Sequence, residues 1–156
     1  MLDGLGSLAD DERARFEFAI GPMTFDFAGF IGLRLNEHAL HTWDIEVALD
    51  PGAPVAPGSA RLVIDNLQMI TRFTGKPTGT EHTITVLTSE PRRDFRVVIG
   101  ADGVSLGPIE PVDEPDLEIP AEAFIRLVYG RLDPAHTPAT RGPANLGELR
   151  NVFPGP

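Results

Sequence analysis

Four side chains that could perform chemistry together lie at helical spacing in residues 34–49, which read RLNEHALHTWDIEVAL. Side chains three and four positions apart share one face of a helix, so Glu37, His41 and Asp44 would form one stripe, with Arg34 a turn before them. Most of the other positions are apolar, as in a helix whose remaining faces are buried. One face of this predicted helix therefore carries the side chains that could perform chemistry, and we call it the chemical stripe.

The first chemistry that this stripe suggests is metal binding. A glutamate and a histidine four residues apart can supply an oxygen and a nitrogen ligand to one cation at about 2 Å, and zinc, iron(II), nickel or manganese would accept them. Asp44 could then orient the imidazole of His41. Alternatively, Glu37 and His41 form a simple hydrogen bond or stay solvated, and Asp44 is an exposed charge. His38 points elsewhere and is expected on the surface or in packing.

The composition is that of an acidic globular protein without cysteine, and it excludes several functions. The 156 residues carry a net charge of −10, and no run of lysine or arginine is present, so nucleic acid is not expected as a partner. Without cysteine, any thiol chemistry must use a thiol from another molecule. No apolar stretch is long enough to span a membrane and the N-terminal residues are acidic, so we expect a cytoplasmic protein with no membrane partner.

A change of composition after the chemical segment predicts a domain boundary. Residues 24–49 favour one long helix with Thr24 as its cap. The stretch PGAPVAPGSA at 51–60 is rich in proline, glycine and alanine, which is typical of a linker. The sequence therefore predicts two parts, residues 1–50 and residues 51–156.

The part after the linker is predicted to be a small α+β domain. A helical pattern at 60–73 precedes several short stretches of β-branched residues, and an amphipathic helix is predicted at 121–132. The predicted strands are 82–89, 94–101, 103–108 and 117–120. Asp102-Gly103 between two of them is typical of a hairpin turn. A helix, about four mainly antiparallel strands and a second helix make α+β the expected fold class.

Two runs of the sequence resemble one known family. LRLNEHALHTWDIEVALDP at 33–51 resembles the last helix of the metal-binding domain in the mycothiol-dependent maleylpyruvate isomerase family, and LEIPAEAFIRLVYGRLDPAHTP at 117–138 resembles the end of its C-terminal domain. The resemblance implies the final helix of a DinB-like four-helix bundle followed by a sterol-carrier-like α+β domain. It also implies that Glu37 and His41 are two of three metal ligands.

The third ligand of the family is a histidine on an earlier helix, and family members carry that helix ahead of the segment with which this chain begins. We therefore expect an incomplete metal site, in which two ligands hold a cation weakly and exchangeably. Whether the chain is an enzyme is left open for the same reason.

The resemblance further implies a thiol-dependent reaction on a small-molecule substrate. The cofactors would be a divalent metal, with zinc expected, and mycothiol as cosubstrate. The thiolate would add to an activated double bond, and rotation followed by elimination would give the trans isomer; thiol transfer is the related activity. Arg131 and Arg34 are the candidates for binding a carboxylate of substrate or thiol. The alternative for Arg131 is a charge that stabilises the end of its helix.

The predicted long helix carries more apolar residues than one helix can cover, among them Phe30, Ile31 and Trp43. Exposed apolar surface of this kind favours a partner, so we expect self-association through this helix or packing against the α+β part. A homodimer could bring two Glu37/His41 pairs together.

Two further functions stay open at this point. The chain could be a non-catalytic binding module that holds a small apolar ligand between helix and sheet. It could also be a degenerate remnant that keeps an interaction surface and no chemistry. Metal binding by Glu37 and His41 would separate the isomerase-like function from both.

Overall fold

The computed structural model describes residues 6–21 and 23–155, and within these ranges the chain has a mixed α+β fold. In chain order the elements are α1 (Asp10–Ala14), β1 (Phe18–Ile20), β2 (Met23–Phe25), α2 (Phe27–Leu49), α3 (Pro57–Val63), α4 (Leu67–Thr74), β3 (His82–Ser89), β4 (Arg93–Ile99), β5 (Val104–Pro108), β6 (Leu117–Pro120), α5 (Ala121–Val128) and α6 (Leu146–Val152). Two 3₁₀ turns lie at Ile64–Asn66 and Pro134–His136. The predicted α+β class is confirmed, and four strands follow the linker as predicted.

A short hairpin precedes the long helix. Strands β1 and β2 pair antiparallel, with Phe18 opposite Phe25. Gly21, in the turn between them, has a φ of +56°, which glycine adopts without the steric cost of a Cβ. Pro22, the next residue, lies outside the described residues. The aromatic rings of the hairpin pack on the start of α2, where the ring centroids of Phe18 and Phe30 are 4.8 Å apart.

The long helix begins at Phe27, and the prediction of Thr24 as its cap is wrong. Thr24 is extended because it pairs with Ala19 in the hairpin. Asp26 caps the helix instead, and its carboxylate accepts a hydrogen bond from the N–H of Gly29 at 2.8 Å. Both residue types are good caps, so the choice was made by the hairpin rather than by local propensity.

The main sheet has the order β5-β4-β3-β6. Strand β4 pairs antiparallel with β3 and with β5, whereas β6 lies parallel to β3. The predicted turn at Asp102-Gly103 joins β4 to β5, and the N–H of Gly100 donates to the carbonyl of Gly103 at 2.9 Å across it. The expected arrangement of mainly antiparallel strands is therefore present.

One face of this sheet is buried under the helices. Side chains alternate between buried and accessible along β3 and β4, as expected for a sheet that is covered on one side. The buried strand residues include Val86, Val97, Leu106 and Leu117, and Phe124 of helix α5 is buried with them. Helix α5 lies at the centre of this core, with seven of its eight residues buried. This part of the chain therefore forms the core against which the other elements pack.

Helix α2 shares that core, so the packing expected of it against the α+β part is present. Ala39, Leu40 and Trp43 belong to the same apolar cluster as the sheet and α5. The indole N–H of Trp43 donates to the carbonyl of Ala53 at 2.7 Å, and the guanidinium of Arg126 lies 5.0 Å from the centre of the Trp43 ring. No helix within the described ranges is long and apolar enough to cross a membrane. The boundary near residue 50 and self-association remain predictions.

Candidate functional site

The structure brings Glu37, His41 and Asp44 together on the accessible side of α2. Nε2 of His41 lies 3.2 Å from Oε2 of Glu37, and Nδ1 lies 3.1 Å from Oδ2 of Asp44. All three residues belong to the uninterrupted helix, so its periodicity alone places them side by side. The imidazole therefore lies between two carboxylates, one at each ring nitrogen.

Asp44 is held from the other side by Arg131, which follows α5 in the chain. Nε and Nη2 of Arg131 donate to the two carboxylate oxygens of Asp44 at 2.8 and 3.0 Å, and Nη1 donates to the carbonyl of Tyr129 at 3.3 Å. These hydrogen bonds from Arg131 lower the pKa of Asp44, and this effect exceeds the opposite effect of its partial burial. Asp44 is therefore an anion at neutral pH, fixed in position by a two-pronged contact.

The tautomer of His41 depends on what occupies Nε2. A neutral imidazole carries one N–H, and a cation bound at Nε2 would leave that N–H at Nδ1. His41 would then donate from Nδ1 to Asp44, while Nε2 and the carboxylate of Glu37 face the cation. Metal-binding histidines are oriented by a carboxylate in the same way.

The Glu37–His41 pair has the spacing of two ligands of one metal ion. Two ligands at about 2.0–2.1 Å from a tetrahedral zinc lie about 3.3 Å from each other, close to the 3.2 Å between Nε2 and Oε2. Asp44 cannot be the third ligand because it faces the opposite ring nitrogen. Within the described ranges, no three His, Cys, Asp or Glu side chains group closely enough to hold a metal ion. The pair fits two positions of a metal site, and a third ligand would have to come from elsewhere.

A cleft opens next to this pair, between the hairpin and α2. It has a volume of about 380 Å³ and is lined by Phe18, Ile20, Phe30, Leu33, Arg34 and Glu37. Arg34 makes no hydrogen bond or ion pair with any residue of the described ranges. The cleft thus combines an apolar wall, a cation without a partner and the carboxylate of Glu37.

A buried polar pair behind the site was not predicted from the sequence. Asn36 is fully buried, and its side-chain oxygen accepts a hydrogen bond from Asn66 at 3.0 Å. The amide nitrogen of Asn36 and the hydroxyl of Tyr129 are both buried without a hydrogen-bond partner among the described residues. Burial raises the pKa of Tyr129 well above its ordinary range, and the nearby Asn36 amide offsets only part of this effect. The one feature of the sequence that could have indicated this buried pair is Asn36 itself, an asparagine on a face of α2 that is otherwise apolar.

The two histidines of the α+β part lie away from this site. His82 is the half-buried first residue of β3. His136 lies in a 3₁₀ turn, where its Nδ1 is 2.7 Å from Oδ2 of Asp133. Neither forms a hydrogen bond or ion pair with Glu37 or His41.

Comparison with known proteins assigns neither a family nor a function to this chain. The sequence matches no known family model, and no curated protein matches it significantly. Any functional conclusion therefore rests on the site: a Glu–His pair, the Asp44–Arg131 contact that orients it, and a cleft that contains Arg34.

Proposed function

We propose that this chain is a metal-binding protein of the mycothiol-dependent maleylpyruvate isomerase type. In this proposal Glu37 and His41 are ligands of a divalent cation, with zinc as the first metal to test. The observation that carries it is the 3.2 Å separation of Nε2 and Oε2, with Asp44 placed to hold the proton at Nδ1. A long helix followed by a four-stranded α+β part supports a DinB-like helix joined to a sterol-carrier-like domain.

The chain's own residues define what the site would do. When bound, the metal would lower the pKa of the thiol of mycothiol, so that thiolate is available near neutral pH. Arg34 would bind a carboxylate of the small-molecule substrate, since its guanidinium has no competing partner among the described residues. Phe18, Ile20 and Phe30 would exclude water from the unsaturated part of that substrate.

Arg131 is better placed to position the site than to bind substrate. Two of its nitrogens are already engaged by Asp44, and a third by the carbonyl of Tyr129. A substrate carboxylate would have to displace Asp44 to reach the fork. We therefore assign Arg131 to the orientation of His41 through Asp44, and assign the carboxylate to Arg34.

The cleft also favours a second function, that of a binding module for a small apolar ligand. Four of its six lining residues are apolar. A carrier of this kind needs Phe18 and Phe30 but not His41. It would bind its ligand equally well with and without metal.

Metal content measured by elemental mass spectrometry tests the proposal. We expect the wild-type chain and a Glu46→Ala control, altered at another exposed position of α2, to bind zinc above background after dialysis against a buffer that contains it, since a two-ligand site exchanges its metal. Glu37→Ala and His41→Ala should both lose it. Metal in none of the four proteins, or equal metal in all four, would refute the proposal. An isomerase assay with mycothiol would follow a positive result, whereas retention of an apolar probe by metal-free Glu37→Ala would favour the carrier.

A further inference from the structure

The face of α2 that lies next to the candidate site is apolar at both ends and uncovered. Ile31, Ile45 and Leu49 are 38%, 67% and 84% exposed, and His38 is exposed midway between the two isoleucines. We call these four residues the outer stripe. His38 makes no hydrogen bond or ion pair with any residue of the described ranges. A histidine that has no partner among the described residues thus lies at the centre of an uncovered apolar surface.

The outer stripe has the symmetry of a surface that pairs with itself. Ile31 lies seven residues before His38 and Ile45 lies seven residues after it, which is the repeat of a helix–helix seam. If two copies pair antiparallel about a two-fold axis at His38, each Ile31 faces the Ile45 of the other copy. A two-fold interface requires such self-complementarity, because every contact is made twice.

The charges beside the stripe favour the same partner. A two-fold axis across two antiparallel helices keeps the same flank of both copies on one side. Arg34, four residues before His38, then lies level with the segment between His41 and Asp44 of the second copy. Arg34, which has no ion pair among the described residues, would be attracted by the acidic flank of the other chain, which contains Glu37 and Asp44, while its guanidinium stays open to a substrate carboxylate.

We propose that a second copy of this chain covers the outer stripe and completes the metal site, with His38 of the second copy as the third ligand beside Glu37 and His41. Each dimer then has two equivalent sites of two histidines and one glutamate, a ligand set that leaves one position open on zinc. The inference rests on the proposed function for the ligand role of Glu37 and His41. The dimer itself depends only on the surface of α2.

Oligomeric state and metal content, measured on the same samples, test the two parts separately. By light scattering after size exclusion, the wild-type chain should be a dimer, and so should the Phe73→Asp control, which changes an exposed apolar residue on α4. Ile45→Asp should be a folded monomer that loses zinc on desalting. His38→Ala should remain a dimer and lose zinc. A monomeric wild type, or a dimer that survives Ile45→Asp, would refute the pairing.

Mixing two defective variants gives a test that does not depend on disrupting the fold. Glu37→Ala and His38→Ala should each lack zinc alone. In their heterodimer, one site combines the intact Glu37 and His41 of one chain with the intact His38 of the other. After exchange of subunits, zinc should return to about a quarter of the wild-type content, as expected for random pairing of a two-fold dimer. No recovery in a mixture shown to form heterodimers would refute His38 as a shared ligand. Zinc binding by a monomeric wild type would refute the dimer and leave the proposed function standing.

Discussion

Helices α2 and α5 differ in how much of their surface is buried in this molecule. Seven of the eight residues of α5 are buried between the main sheet and the neighbouring helices. Only five of the 23 residues of α2 are buried, and its other sides carry the chemical stripe and the outer stripe. The comparison indicates that α5 and the sheet supply most of the stability of the fold, whereas most of the surface of α2 is accessible to a ligand or a partner.

The largest difference should be in the free energy of unfolding lost when an apolar side chain is shortened on each of the two helices. Phe124 on α5 is fully buried and packs with Phe95 at a ring-centroid distance of 5.7 Å. Phe124→Ala should lower the free energy of unfolding by about 4 kcal/mol, because it removes a large side chain and leaves a cavity. Ile45→Ala, on the exposed side of α2, should change it by less than about 0.5 kcal/mol.

Urea unfolding checks this pair at a protein concentration low enough to keep the chain monomeric. The same substitutions repeated at high concentration sharpen the comparison, because a dimer would add a cost to Ile45→Ala alone. Equal costs for both variants at low concentration would mean that the outer face of α2 is covered within one chain, and the contrast between the helices would fail.

The junction of the two helices should show the next largest effect. Arg126 on α5 is buried, donates to both carboxylate oxygens of Glu122 at 2.8 and 2.9 Å, and stacks on Trp43 of α2. Glu122→Ala should cost about 3 kcal/mol because it leaves a buried guanidinium without its counter-charge. Adding Arg126→Met should restore much of that loss, since the unpaired charge is then absent. Thermal unfolding followed by circular dichroism measures both; an additive double variant would contradict this account.

The chemical stripe should respond to a change that hardly affects stability. Asp44→Asn removes the anion that orients His41 and should weaken zinc affinity by about 10- to 100-fold. The contact between Asp44 and Arg131 is partly exposed, so its contribution to stability is only about 0–1 kcal/mol. Arg131→Ala should weaken zinc affinity in the same direction, and Glu46→Gln on the same helix is the control. Competition with a chromogenic chelator gives the affinities; an unchanged value for Asp44→Asn would remove Asp44 and Arg131 from the site.

Elements fixed by local pattern were predictable from the sequence, and α5 is the best example. Its apolar period and the preceding strand Leu117–Pro120 were both visible in the sequence, although the predicted range 121–132 runs four residues past the observed end at Val128. Strand β3 was predicted with its observed ends. The start of α2 was not predictable, because Thr24 and Asp26 are both good caps. The hairpin decided between them by pairing Thr24 with Ala19, which no local rule contains.

The candidate site, too, has one part that was predictable from the sequence and one part that depends on tertiary packing. Helical spacing alone predicted that Glu37, His41 and Asp44 would be neighbours. The contact of Asp44 with Arg131 joins residues 87 positions apart, and only the packing of α2 on the α+β part creates it. That contact changes the expected role of Arg131, because the donors that could bind a carboxylate are engaged. Spacing within an element therefore gave the reactive pair, and tertiary packing gave its orientation.

The smallest expected effect is a change in how the free energy of unfolding depends on pH, and it comes from a carboxylate beside the sheet. Asp116, just before β6, accepts hydrogen bonds from the N–H and the hydroxyl of Thr85 at 2.8 and 2.7 Å, and these bonds lower its pKa. A carboxyl whose pKa is lower in the folded than in the unfolded chain stabilises the fold above its unfolded pKa. That contribution is lost as the pH falls from about 4 toward the lower folded value.

Asp116→Asn should therefore cost about 1 kcal/mol at pH 7 and progressively less below about pH 4, where the wild-type chain loses the same contribution. Urea unfolding between pH 7 and pH 2.5 measures the difference. Trp43, the only tryptophan, reports by fluorescence on the junction of α2 with α5, while circular dichroism reports on the whole chain. Because Asp44 also has a lowered pKa through Arg131, part of the acid sensitivity should remain in Asp116→Asn by both signals. If both signals lost their acid sensitivity completely in this variant, the contact between Asp44 and Arg131 would make no pH-dependent contribution to the stability of the fold.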